Sequence, residues 1–353
     1  HCVLSKYSAA LFGLFHMRVK YSLLKIACFV SIAALSACNS KFSAETENTT
    51  VDSLGTLSKC KSYSGLPKGW LKNDTAGMVS IQGGNFNIGN NHAYPEEKSI
   101  VNPQRKVENF YIDATEVTNA QFQSFVDATG YVTEAEKQGE AAIFIQPNQT
   151  VNDLGWWKLE KGISWKYPWG VQSTRKILAN EPVRFITLQD AIAYADWLGR
   201  EIPTEEQWEY AAKSFTKNED VVANHQGHHV NANVWQGNFP YQNDIQDGFA
   251  DVAPVGCFEA NPYGLYDMIG NVWEYTRSPF SGSHDDHMGN HAQIKTEFSN
   301  TANNYTIKGG SYLCADNYCA RYRASARQSQ EANLAISHVG FRTIKVLVAQ
   351  TDP

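Results

Sequence analysis

Helical periodicity surfaces only three times in the folded part of this chain. Thr118 and Gln121 form a capping box ahead of Phe122, Phe125 and Val126, with Gly130 placed to stop the helix. Thr187 opens a second helix that sets Leu188, Ala191, Ile192, Ala195 and Leu198 on one face and ends at Gly199. Thr204 and Gln207 box a third, with Trp208 and Ala211 turned inward. Between them Gly, Asn and aromatic residues recur, and 25 Gly with 17 Tyr, 17 Phe and 9 Trp favour long ordered loops and short strands over a helical bundle. The expected class is α+β, in one main domain low in regular secondary structure.

With 353 residues and 42% hydrophobic content the chain can bury a substantial core. A net charge of -6 without a long basic run argues against a nucleic-acid partner, since phosphate binding needs clustered Lys and Arg. A monomer is expected.

The first residues read as targeting, not fold. Met17-Arg18-Val19-Lys20 has the basic start of an export signal, so residues 1–16 are expected to lie outside the natural product. An apolar stretch from Ile26 to Leu35, too short to span a bilayer, leads into Leu35-Ser36-Ala37-Cys38, which resembles a bacterial lipobox. The expectation is a lipoprotein signal peptide over 17–37 and lipidation of Cys38, anchoring an exported protein at the outer or inner membrane facing the periplasm; the alternative is an ordinary signal peptide or an uncleaved anchor. Residues 38–65, rich in Ser, Thr, Asn, Glu and Lys, read as the lipidated end and a flexible tether, and 66–348 as the catalytic domain.

Chemistry concentrates in Gly309-Gly310-Ser311-Tyr312-Leu313-Cys314-Ala315-Asp316-Asn317-Tyr318-Cys319-Ala320-Arg321. Thiolates are soft ligands for Cu(I), Zn(II) or iron–sulfur clusters, and two alone cannot fill a tetrahedral zinc site, so low-coordinate Cu(I) suits the count best. A disulfide or two free thiols remain open from spacing alone; so short a loop would gain roughly 2 kcal/mol or less from closure. With Cys38 lipidated and this pair set aside, Cys60 and Cys257 are candidates for a disulfide. His284-Asp285-Asp286-His287 with His291 could attract a metal, but its Gly and Ser flanks read as a solvated loop.

Several segments together closely resemble the formylglycine-generating enzymes, also called sulfatase-modifying factors. These are Met78–Phe86, Phe110–Asn119, Thr129–Lys137, Trp156-Trp157, Trp165–Pro168 and above all Ser311 with Cys314 and Cys319. The resemblance runs from Met78 to Arg342 and implies a C-type-lectin-like α+β fold. It further implies Cu(I) on Cys314 and Cys319, Ser311 and Trp273 in the active pocket, and Tyr318 beside them. Two calcium ions are implied, one on Asn233, Val234, Asp247 and Phe249 and one on Asp267, Gly270, Val272 and Glu274. The implied reaction uses O2 to oxidise the cysteine of a Cys-x-Pro-x-Arg segment in an unfolded sulfatase polypeptide, through a thioaldehyde, to Cα-formylglycine. His338 departs from the Asn common at its place in the family. The same superfamily includes non-catalytic binding or assembly lipoproteins and iron-dependent sulfoxide synthases, and fold alone does not choose among them.

Overall fold

The computed structural model describes residues 54–152, 154–216, 220, 222, 231–280, 282, 284 and 304–347. The export segment, Cys38 and the stretch from Asp285 to His291 lie outside them.

Two small sheets carry the framework. In the first, β4 (Phe110–Asp113) lies between β1 (Met78–Ile81) and β11 (Ile344–Val346), antiparallel to both. Alternation sends Phe110, Ile112, Ile81 and Ile344 into a core shared with Trp208, Tyr210 and Ala211 of helix α5 (Glu205–Lys213). The second sheet runs β10 (Val339–Gly340), β7 (Trp273–Pro279), β8 (Asn304–Lys308), β9 (Arg327–Glu331), with β10 parallel to β7 and the remaining pairs antiparallel. Hairpins β2 (Gly84–Asn87)/β3 (Gln104–Val107) and β5 (Glu140–Phe144)/β6 (Trp157–Lys161) flank them.

Each helix foreseen in the sequence forms and starts at the expected threonine, though the second ends at Trp197 with Leu198 as its C-cap. Helix α2 (Asn119–Thr129) starts at the Thr118/Gln121 box and ends on Gly130 in the left-handed region, while Thr187/Asp190 and Thr204/Gln207 box α4 (Leu188–Trp197) and α5. Short α3 (Glu134–Gln138) has the same device in Thr133 and Glu136. Helices α2 and α4 meet through aromatic rings: Phe122 stacks on Tyr194 at 5.9 Å and meets Trp165 edge-on at 5.1 Å.

The folded unit starts earlier than the sequence suggested. Leu54 is buried, and α1 (Leu57–Ser62) carries a fully buried Cys60 that forms a disulfide with Cys257, 197 positions away. Backbone bonds join Gly55 to Gly256, and the Asn180 amide donates to the Cys60 carbonyl. Residues 54–65 are thus part of the globular body and not tether. Their polar composition misled because one cross-link and the buried Leu54 side chain hold them there.

No helix among the described residues is long and apolar enough to cross a membrane.

Candidate active site

Strand β8 is followed by Gly309 and Gly310, with φ of +92° and +82°. A Cβ on Gly310 would stand 2.3 Å from the Arg321 carbonyl oxygen, so only glycine lets the chain fold back on itself here. That turn delivers Ser311 to Cys319 into the interior. The Cys314 N–H donates to the Ser311 carbonyl at 2.9 Å, and the Leu313 N–H reaches Ser311 Oγ at 3.3 Å. The Trp235 N–H donates to the Cys314 carbonyl and the Tyr312 N–H to that of Asn271, tying the loop to segments 231–235 and 268–273.

Cys314 and Cys319 are free thiols with Sγ atoms 3.4 Å apart, a hydrogen-bond separation well beyond the ~2.05 Å of a disulfide. Their exposures of 1% and 8% place them in the apolar cluster that includes Trp273, Trp165 and Tyr322. The two sulfurs are not equivalent. The Cys314 hydrogen bond, aided by Arg321, whose Nη1 lies 3.7 Å from Cys319 Sγ, brings the Cys319 thiol down to about 6. Burial, with Cys319 beside it, pushes Cys314 well up. The resting pair is therefore one thiol donating to one thiolate near neutral pH. Arg321 is itself fixed by Glu96 and by the Tyr94 ring 4.0 Å below its guanidinium.

Aromatic groups border the dithiol. Tyr318 is 44% exposed and stacks on Phe239 at 4.5 Å, while Trp156 meets both edge-on. Trp273 is buried, and its backbone N–H donates to the His338 carbonyl. The His338 ring lies 4.9 Å from Trp157, with Nδ1 buried and unpartnered, and burial pushes its pKa down to about 3, so it is neutral.

The expected calcium ligands fall into two groups. In the first, the Val234 carbonyl and Asp247 Oδ2 converge on the Gln236 amide nitrogen, which donates to both. Asp247 Oδ1 accepts from the Phe249 N–H, and Asn233 Nδ2 donates to Asn271 Oδ1 and the Asp251 carbonyl. Two oxygens thus point at one place, as a cation site requires, but Gln236 must turn for an ion to enter. In the second, Glu274 accepts three bonds, two from Arg342 and one from Trp208 Nε1, leaving one lone pair of about four. Asp267 accepts from the Gly256 N–H at 2.5 Å, and burial drives its pKa up to about 6. Both groups have oxygen to spare for a hard cation.

Asn271 was not singled out in the sequence, yet it joins these parts. Its side chain donates to Glu116 Oε1 and accepts from Asn233 and from the Ala253 N–H, at φ +55°. A lone Asn beside a Gly signals a turn and nothing more.

The solvated-loop reading of His284 is corrected. Its side chain is 2% exposed, with Nε2 3.8 Å from Glu205 Oε1 and a ring nitrogen within 4.8 Å of a Glu209 oxygen. Glu205 and Glu209 also hold Arg327, Lys308 and Lys213, partners contributed by β8, β9 and the end of α5 that Gly and Ser flanks could not reveal.

The fold and site define a loop-rich α+β protein built around a buried reduced dithiol. Residues 63–347 match the sulfatase-modifying factor enzyme 1-like domain, and the chain belongs to that family. It is 38% identical over 293 residues to a formylglycine-generating enzyme of Mycobacterium tuberculosis, covering 76% of this chain and 97% of that one. The mouse protein of the same name is 36% identical, covering 75% of this chain and 74% of that one. A Bos taurus protein named inactive C-alpha-formylglycine-generating enzyme 2 is 31% identical, covering 77% and 90%. Among solved structures, PvdO from Pseudomonas aeruginosa aligns with a TM-score of 0.54 at 20% identity, covering 76% and 94%, which establishes the shared fold.

Proposed function

We propose that this protein oxidises the cysteine of a Cys-x-Pro-x-Arg segment in an unfolded sulfatase to Cα-formylglycine, using O2 and Cu(I) held by Cys314 and Cys319. The observation that carries this reading is the reduced, buried Cys314–Cys319 pair, in a chain whose relatives include proteins named for this conversion. An inactive relative at 31% identity means that family membership alone is not enough.

The donor set suits a soft ion: two sulfurs 3.4 Å apart, with the Arg321 guanidinium beside Cys319 favouring its thiolate. Bound there, Cu(I) would supply the one-electron chemistry that activates O2. The remaining work falls to the protein. Cys319 offers a thiolate without prior deprotonation, and Cys314 gives up its proton as a ligand forms. The apolar wall containing Trp273 excludes water and competing oxidants. Ser311 Oγ accepts from the Leu313 N–H and keeps its own proton to donate within the loop. Exposed Tyr318, backed by buried Phe239 and by Trp156 edge-on, gives an extended peptide an aromatic ring next to Cys319. Conversion of the cysteine side chain to the aldehyde, with release of one hydrogen sulfide and one water, consumes one O2, two protons and two electrons from an external thiol reductant.

Calcium at the two oxygen-rich groups would brace the loops, and lipidation at Cys38 would hold the enzyme at the membrane surface where exported sulfatases are still unfolded. The test is mass spectrometry of a Cys-x-Pro-x-Arg peptide after incubation with protein, Cu(I), thiol reductant and O2. Conversion of the cysteine to the aldehyde is expected; recovery of unmodified peptide from copper-loaded protein refutes the reading and leaves a binding lipoprotein.

A further inference from the structure

We propose that Tyr94 and Glu96, in the connection between β2 and β3, are positioning residues of the copper site: they fix the Arg321 guanidinium as counter-ion to the charge that a copper dithiolate would place in the core. This rests on the copper reading above and adds two residues that neither the motif nor the family resemblance supplied.

Two thiolates and one Cu(I) sum to one negative charge. Cys314 and Cys319 would carry it at 1% and 8% exposure among apolar side chains, where an uncompensated charge is strongly disfavoured. Among the described residues Arg321 is the one cationic side chain hydrogen-bonded to either sulfur, with Nη1 3.7 Å from Cys319 Sγ. The backbone brings it close, since the Arg321 N–H donates to the Cys319 carbonyl at 2.8 Å. It does not aim it. The side chain is 21% exposed, and an arginine left to itself extends its head into water.

Tyr94 and Glu96 supply the aim. The Nε and Nη2 edge of the guanidinium donates to Glu96 Oε1, and its face lies 4.0 Å from the Tyr94 ring, which leaves Nη1 for the sulfur. A planar fork held on one edge and one face has little freedom left. The clamp is itself anchored: the turn Pro95–Glu97 closes with the Glu97 N–H on the Tyr94 carbonyl, and the Glu96 carbonyl accepts from Arg327 Nη1, both at 2.9 Å. Arg323, two positions further on, is no substitute, because its Nε and Nη2 are taken by Glu97 at 2.7 and 2.9 Å.

Glu96 acts on the sulfur in two opposed ways. Its hydrogen bonds hold the guanidinium in place, while its charge offsets part of the charge that the sulfur meets. Two substitutions separate them. Glu96→Ala removes both, whereas the Glu96→Gln amide oxygen still accepts from the guanidinium and carries no charge. Competition of the reduced full-length chain with a Cu(I) chelator under nitrogen measures affinity, and the ultraviolet thiolate–copper band reports binding through sulfur. Arg321→Met and Glu96→Ala should each weaken Cu(I) by about tenfold, the double variant little more, and Glu96→Gln should recover most of the loss. The metal-free variants should melt with the metal-free parent, since a pair exposed at 21% and 22% adds little stability. Glu96→Ala within about threefold of the parent, or Glu96→Gln as weak as Glu96→Ala, overturns the clamp. Should metal-free Glu96→Ala melt lower, Tyr94→Leu, which keeps both charges and removes only the ring against the guanidinium, is judged by the same threefold limit. A parent that binds no Cu(I) overturns the copper reading itself.

Discussion

The Cys60–Cys257 bond ties α1 to the body across 197 positions of sequence, and its removal gives the most calculable perturbation in the molecule. On the loop-closure model a ring of that length takes about 18 cal/mol/K of entropy from the unfolded chain, or about 5 kcal/mol at 25 °C. The double variant Cys60→Ala/Cys257→Ala adds little cavity, because each change removes only a sulfur, and Asn180 still donates to the residue 60 carbonyl. Equilibrium urea unfolding without reductant, with Cys314→Ser/Cys319→Ser in both the disulfide-bonded chain and the double variant, should show stability lower by about 3 to 5 kcal/mol. If residues 54–63 instead detach alone in the variant, hydrogen exchange would show lost protection in α1 and almost no change in the global transition. A global loss below about 1 kcal/mol with unchanged protection of α1 would refute the cross-link argument altogether.

Four further outcomes follow from the geometry. Cys314→Ser and Cys319→Ser should each abolish high-affinity Cu(I) binding and peptide oxidation, with no additivity in the double variant; retention of the parent rate by either single variant sinks the dithiolate reading. In metal-free protein, alkylation of Cys319 should follow an apparent pKa of about 6, and Arg321→Met should move it up; an unperturbed thiol profile near ~8.5 in the parent contradicts the hydrogen-bonded pair. Against its burial, Lys213 and Lys308 drive Glu209 down to about 2, so it contributes stability that is complete above pH ~4.5 and lost as pH falls toward 2, about 3 kcal/mol in all. Glu209→Gln should flatten that limb of a melting-temperature profile, and a parallel curve would show that the charge is not held by its partners. Cys38→Ser should release the protein from membranes, whereas continued retention would reject lipid anchoring.

What could be read from the sequence was short-range. Capping boxes act over three residues, so the boundaries set by Thr118, Thr187 and Thr204 were visible before any tertiary contact existed, and Thr133 with Glu136 obeys the same rule. The paired glycines and the two cysteines five positions apart share one loop, and their meeting needs only local chain geometry. Long-range pairing was another matter. Arg321 reaches Glu96 across 225 residues, and Asn271 reaches Glu116 across 155. His284 looked solvated by composition but is buried against α5, and polar residues near Cys60 looked like tether but are cross-linked into the body. Local propensity fixes where the backbone turns. Which charges face each other in the interior is decided by sheet order and loop crossing, because desolvation makes a buried charge depend on partners that no nearby stretch of sequence supplies.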